Sequence, residues 1–116
     1  MSERKWNLFI EDILESIELI EDYIANMNFE DFKKDRKTVD AVVRNFEIIG
    51  EASRNIPEEE RNKYKDVDWK GIIGLRNRIT HGYFGIDLTI IWEILKHDLP
   101  PLKEKMKQIL EKEKEG

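Results

Sequence analysis

The sequence predicts an all-α fold, an up-and-down bundle of four to five main helices in a single domain over residues 1–116. Three observations predict it. Apolar residues recur at steps of three and four along most of the chain, the spacing that lines one face of a helix. No alternating apolar–polar run bounded by turn residues competes with them. Several of the periodic segments are preceded by Asp, or begin with Pro and acids, which suit the unpaired N–H groups of a first helical turn.

The first stripe is Trp6, Phe9, Ile10, Ile13, Leu14, Ile17, Ile20, Ile24 and Met27, a helix of about six turns with Asn26 and Asn28 at its end. The second is Val39, Val42, Val43, Phe46, Ile49 and Ala52, on a helix from about Lys37 to Asn55. Pro57 followed by Glu58, Glu59 and Glu60 forms the first turn of a short helix. Asp68 caps a third main helix running from Trp69 to Thr80 or His81, which Gly82 and Gly85 break. Asp87 caps a fourth, with Leu88, Ile91, Trp92 and Leu95 on one face. Asp98 caps a fifth, with Pro100 and Pro101 in its permissive first turn and Leu99, Leu102, Met106, Ile109 and Leu110 as its stripe. The Glu/Lys tail over about 111–116 is expected to fray. The first helix, roughly 33–36 Å long at about 1.5 Å per residue, exceeds what the short helices can cover, which points to a dimer.

Composition narrows the function classes. At 116 residues, 40% hydrophobic and 39% charged, the chain can bury one core and is too apolar for a disordered segment. No apolar run reaches the roughly 20 residues of a membrane span, and no secretory h-region opens the chain. With no cysteine, disulfides, thiolate metal sites and cysteine nucleophiles are excluded, and a cytoplasmic setting is expected. The net charge of −5 argues against a general nucleic-acid coat. The charge is uneven. Residues 1–31 hold nine acids and two bases, residues 32–80 nine and twelve, and residues 81–116 seven and six. The middle of the chain can therefore meet an anion that the first helix would repel.

The chemistry concentrates between Gly74 and Gly85. On a wheel of about 100° per residue from Trp69, the apolar arc is Trp69, Ile72, Ile73, Leu75 and Ile79. Arg78 falls opposite the arc, as an ordinary solvent-side charge. Arg76 falls inside it and is expected to be buried against a partner, since a buried unpaired charge is costly. That partner is a carboxylate such as Glu47 or Glu51, or a phosphate, which fits the guanidinium fork equally well. His81 lies about 140° further round and roughly 7–8 Å along an ideal helix. A compact Arg76–His81 site therefore needs either a loosened helix at Gly82 or two copies of the helix across a two-fold axis. Asn77, four residues before His81, shares its face and can orient the ring or bind a phosphate oxygen. Tyr83, just past the break, either has an accessible phenol or is packed beside Phe84. His97 is expected in the last turn of the fourth helix, where a cation suits the dipole. Phosphate-binding glycine loops, Gly-x-Ser-x-Gly and His-Glu-x-x-His are absent from the sequence. Glu18, Glu21 and Asp22 lack the Glu-x-x-His companion of a di-iron bundle, so no metal site or cofactor is expected.

These residues carry a family resemblance. Arg76-Asn77-Arg78-Ile79-Thr80-His81-Gly82-Tyr83 resembles the Arg-x4-His-x-Tyr signature of HepT-like proteins, a branch of the HEPN superfamily. Arg44-Asn45-Phe46-Glu47-Ile48-Ile49-Gly50-Glu51-Ala52 resembles the helix-2 signature of the same group, and Asp68-Trp69-Lys70-Gly71-Ile72 and Asp98-Leu99-Pro100-Pro101-Leu102 its flanking segments. The resemblance implies a dimerising bundle with its signature helices facing each other. It implies a metal-independent ribonuclease that is the toxin of a toxin–antitoxin pair. The antitoxin would be a minimal nucleotidyltransferase that adenylylates the signature tyrosine. Carried over, Arg76 and His81 are the catalytic pair, Asn77 supports them and Tyr83 is the modification site. The substrate would be RNA engaged locally, such as a tRNA, because the first helix is acidic. The alternative from the same residues is a non-catalytic helical partner of such a nucleotidyltransferase.

Overall fold

The computed structural model describes residues 5–79 and 87–115, and among the described residues every regular element is helical. Helix α1 spans Trp6–Ile24 and ends where Asn26 takes a left-handed backbone (φ 67°), a conformation asparagine tolerates. Asn28 then starts α2, Phe29–Lys34, through a reciprocal capping box: Asp31 N–H donates to Asn28 Oδ1 at 2.8 Å, and Asn28 N–H to Asp31 Oδ2 at 3.1 Å. This short helix, absent from the expected elements, buries Phe32 completely. Asp35 caps α3, Arg36–Asn55, by accepting from Thr38 N–H at 3.1 Å. Pro57 precedes α4, Glu58–Arg61.

The helix expected from Trp69 is two pieces. Asp68 caps α5, Trp69–Ile73, and α6, Leu75–Ile79, follows after the chain turns at Gly74 (φ −90°, ψ 12°). The expected end at Thr80 or His81, with the breaks at Gly82 and Gly85, lies outside the described residues. Asp87 caps α7, Leu88–Glu93, through Thr89 and Ile90 N–H at 3.0 and 3.2 Å. The fourth and fifth expected helices are not separated. The chain stays helical through a π turn, Ile94–Asp98, into α8, Leu99–Glu115. Pro100 and Pro101 lack N–H groups and their rings press on carbonyls of the preceding turn, which the wider π turn accommodates. Asp98 is thus no cap; its carboxylate accepts from Arg78 instead. His97 stands at no helix end, and its Nε2 lies 3.4 Å from Glu93 Oε2 on the solvent side.

The core sits where α1, α3 and α8 meet. Ile10, Ile13, Ile17 and Ile20 of α1 face Val42, Phe46 and Ile49 of α3 and Leu99, Met106 and Ile109 of α8, all buried. Helices α1 and α8 run antiparallel. Lys103 Nζ meets Glu21 Oε1 at 2.8 Å near one end, while at the other the Tyr64 ring packs on Trp6 and donates to Glu113 Oε2 at 2.6 Å. Lys112 stands over the same ring. These contacts keep the Glu/Lys tail helical to Glu115 instead of frayed.

Burial, then the Glu113 carboxylate, hold the Tyr64 phenol protonated and push its pKa from the ordinary value of about 10 up to about 12. A raised folded-state pKa stabilises fully below the unfolded value and loses that contribution as pH climbs through the folded one. Thermal stability is expected to fall more steeply between about pH 10 and 12 in the wild-type chain than in Tyr64→Phe. Parallel profiles would detach the phenol from the stability of this corner.

Candidate functional site

Helix α3 and the α5–α6 pair enclose the site. Their close approach rests on Gly50: a Cβ there would stand 3.3 Å from the Ile72 carbonyl oxygen and 3.4 Å from that of Ile73. A larger side chain would hold α5 off α3. With the helices this close, Arg76 Nη1 on α6 donates to Glu47 Oε2 on α3. The pair stands over a shallow cleft of about 210 Å³ that Gly50, Glu51, Arg54 and Ile73 also line. Arg54 Nη1 and Glu51 Oε2 form a second pair, 3.5 Å apart. Two carboxylates and two guanidiniums thus share the cleft.

Arg76 is not buried. Its side chain is 62% exposed, against the expectation from the wheel. The reason is Gly74: a wheel drawn from Trp69 assumes one uninterrupted helix, and the turn at Gly74 resets its phase, so Leu75 and Ile79 stay in the core while Arg76 turns outward. A carboxylate partner was expected, and Glu47 supplies it. Glu51, the other acid considered, serves Arg54. Arg78 is half-exposed and meets Asp98 Oδ2 at 2.8 Å, on the other side of the same short helix. Asn77 is exposed.

His81 and Tyr83 lie outside the described residues. Asp87, the first described residue after them, donates its N–H to the carbonyl of Ile79, the last residue of α6, at 2.7 Å. The roles of Gly50 and Arg54 were not foreseen. A glycine in the middle of the apolar stripe of α3 is the signal that points to Gly50. Among the described residues no three His, Asp or Glu side chains are grouped to hold a metal ion, and no helix is long and apolar enough to cross a membrane.

Residues 13–109 match the family model described as Ribonuclease HepT-like. A candidate ribonuclease HepT of Thermococcus cleftensis is 43% identical over 101 residues, covering 87% of this chain and 92% of that one. A candidate RNase of Caldanaerobacter subterraneus subsp. tengcongensis is 43% identical over 106 residues, covering 91% and 95%. Another, of Methanocaldococcus jannaschii, is 42% identical over 110 residues, covering 95% and 91%. No solved structure matches the chain significantly.

Proposed function

The chain belongs to the HepT-like ribonuclease family, and on that premise we propose that it is a metal-independent endoribonuclease with Arg76 and His81 as its catalytic pair. The observation that carries this reading is the placement of Arg76. Its guanidinium is exposed at the mouth of a cleft, held on one side by Glu47, on the helix whose last residue, Ile79, precedes His81 by two positions in the sequence. An exposed ion pair is worth only about 0–1 kcal/mol, so a phosphate can share or take over the guanidinium.

In this reading His81 takes the proton of a ribose 2′-OH as that oxygen attacks the adjacent phosphorus. Arg76 faces the charge that builds on the phosphorane. The bond to the 5′-oxygen breaks and that oxygen gains a proton, leaving a 2′,3′-cyclic phosphate and a 5′-hydroxyl. Asn77 supports the pair, and a second copy of the chain brings a second pair to a shared cleft in a homodimer. The substrate is RNA, such as a tRNA, in the cytoplasm. The enzyme is the toxin of a toxin–antitoxin pair. A minimal nucleotidyltransferase silences it by transferring AMP to Tyr83, with release of pyrophosphate from ATP. The added phosphodiester charge and adenosine would compete with RNA for the guanidinium and fill the cleft.

The test is cleavage of RNA in EDTA, read by the termini of the products. Cyclic-phosphate ends are expected, with a loss of at least about 100-fold in His81→Ala. Full activity of that variant removes the histidine from the mechanism. With the partner and ATP, mass is expected to rise by multiples of AMP on the peptide containing Tyr83 and not in Tyr83→Phe. Inhibition without a covalent change leaves occlusion as the antitoxin's means.

A further inference from the structure

Helix α6 is short, Leu75–Ile79, and the turn at Gly74 separates it from α5. Of its side chains only Leu75 and Ile79 are buried, one turn apart on a single edge. Two anchors on one edge fix where such a helix sits but hold its rotation about its own axis loosely. At about 100° per residue, Arg76 and Arg78 stand about 80° to either side of that edge. Each is tied to a different neighbour. Arg76 Nη1 donates to Glu47 on α3, and Arg78 Nη1 donates to Asp98 Oδ2 at the end of the π turn, at 2.8 Å. A roll of α6 that swings one guanidinium toward its carboxylate swings the other away. The two ion pairs therefore oppose each other.

The π turn gives the second pair its fixed end. Because the chain runs helically through Ile94–Asp98 into α8, the Asp98 carboxylate caps no helix and turns to Arg78 instead. Leu99 and Leu102, buried directly after it, hold that end in the core. Such π turns recur at functional sites. We propose that Arg78 and Asp98 are positioning residues for the cleavage reaction: their ion pair sets the roll of α6, and so where the Arg76 guanidinium stands at its cleft. The proposal rests on the reading of Arg76 as the group that faces the phosphorane. Arg78 is not among the residues that line that cleft, and it acts through Arg76. A displacement of about 1 Å at a reacting group is enough to slow a reaction. A half-exposed pair holds weakly, so the effect is moderate, about fivefold in rate.

The experiment is single-turnover cleavage of end-labelled tRNA in EDTA, with the full chain in excess. The variants are Asp98→Ala, Arg78→Ala, the two together, and the exchange Arg78→Asp with Asp98→Arg. Each single variant is expected to lower the maximal rate per folded molecule about fivefold, while the half-saturating concentration stays within about twofold. The double variant should lose no more than either single one, and the exchange should return to within about twofold of the wild type. Asp98→Ala is decisive. Were Arg78 a contact for RNA, releasing it from its carboxylate would leave the rate unchanged and tighten binding, which overturns the proposal. Additive losses, or an exchange no better than the single variants, overturn it as well. A second readout needs no cleavage: the Nε–Hε NMR signal of Arg76 is expected to shift in Asp98→Ala and to return in the exchange. A shifted signal in a chain that never cuts RNA defeats the cleavage reading and leaves the hold on α6 without its catalytic use. An unmoved signal defeats the proposal whether or not the chain cuts.

Discussion

Arg76→Ala is expected to lower RNA cleavage by at least about 100-fold while the fold survives. The two halves of this expectation rest on different facts. The guanidinium is 62% exposed and, among the described residues, is paired with Glu47, an exposed pair of the kind worth about 0–1 kcal/mol. Removing it leaves no cavity, because the apolar residues around it, Leu75 and Ile79, point the other way into the core. The loss therefore falls on the charge offered to the transition state. Arg76→Lys keeps the charge and loses the fork, so partial activity is expected. Single-turnover cleavage and thermal unfolding, measured on the same preparations, check both halves. Unaltered cleavage in Arg76→Ala would take the guanidinium out of catalysis, and an unfolded variant would make the pair with Glu47 structural.

Gly50→Leu should act through geometry. The carbonyls of Ile72 and Ile73, at 3.3 and 3.4 Å from the first added carbon, belong to backbone and cannot swing aside. The side chain must push α5 and α6 away from α3, at a cost of about 2 kcal/mol, or roughly 10 °C in Tm for a domain of this size. The displacement also carries Arg76 away from Glu47, so cleavage should fall further than the loss of folded protein explains. Gly50→Ala sits near balance, because the helix propensity gained, about 1 kcal/mol, offsets the tight contact. Circular dichroism melting with cleavage per folded molecule reads the difference. A Gly50→Leu chain as stable and active as the wild type would mean that α3 and α5 are not held at this distance.

The long helices were legible because each carries enough turns for its stripe to repeat. Ile10, Ile13, Ile17 and Ile20 are buried where the spacing put them. Helix α2 was not legible, since six residues are under two turns and show no period; its mark was local, in Asn28 and Asp31. The burial expected of Arg76 failed because a wheel carries one phase through Gly74, where the backbone does not. Its carboxylate partner was readable as a residue of α3. The choice of Glu47 over Glu51 depended on how the helices dock, which Gly50 decides. The π turn had only Pro100 and Pro101 as a trace, and two prolines after an Asp also fit the start of a separate helix.

Tyr64 has a consequence for how the domain can be joined to other things. Its ring touches Trp6, in the first turn of α1, and its hydroxyl holds Glu113, in the last turn of α8. The two ends of the bundle are thus anchored at one corner. A protein fused at either end would hang from the same point, and a short linker joining the ends would leave the isoleucine core untouched. That closeness of Trp6 and Glu113 is the geometry that tethering from one side and circular permutation require.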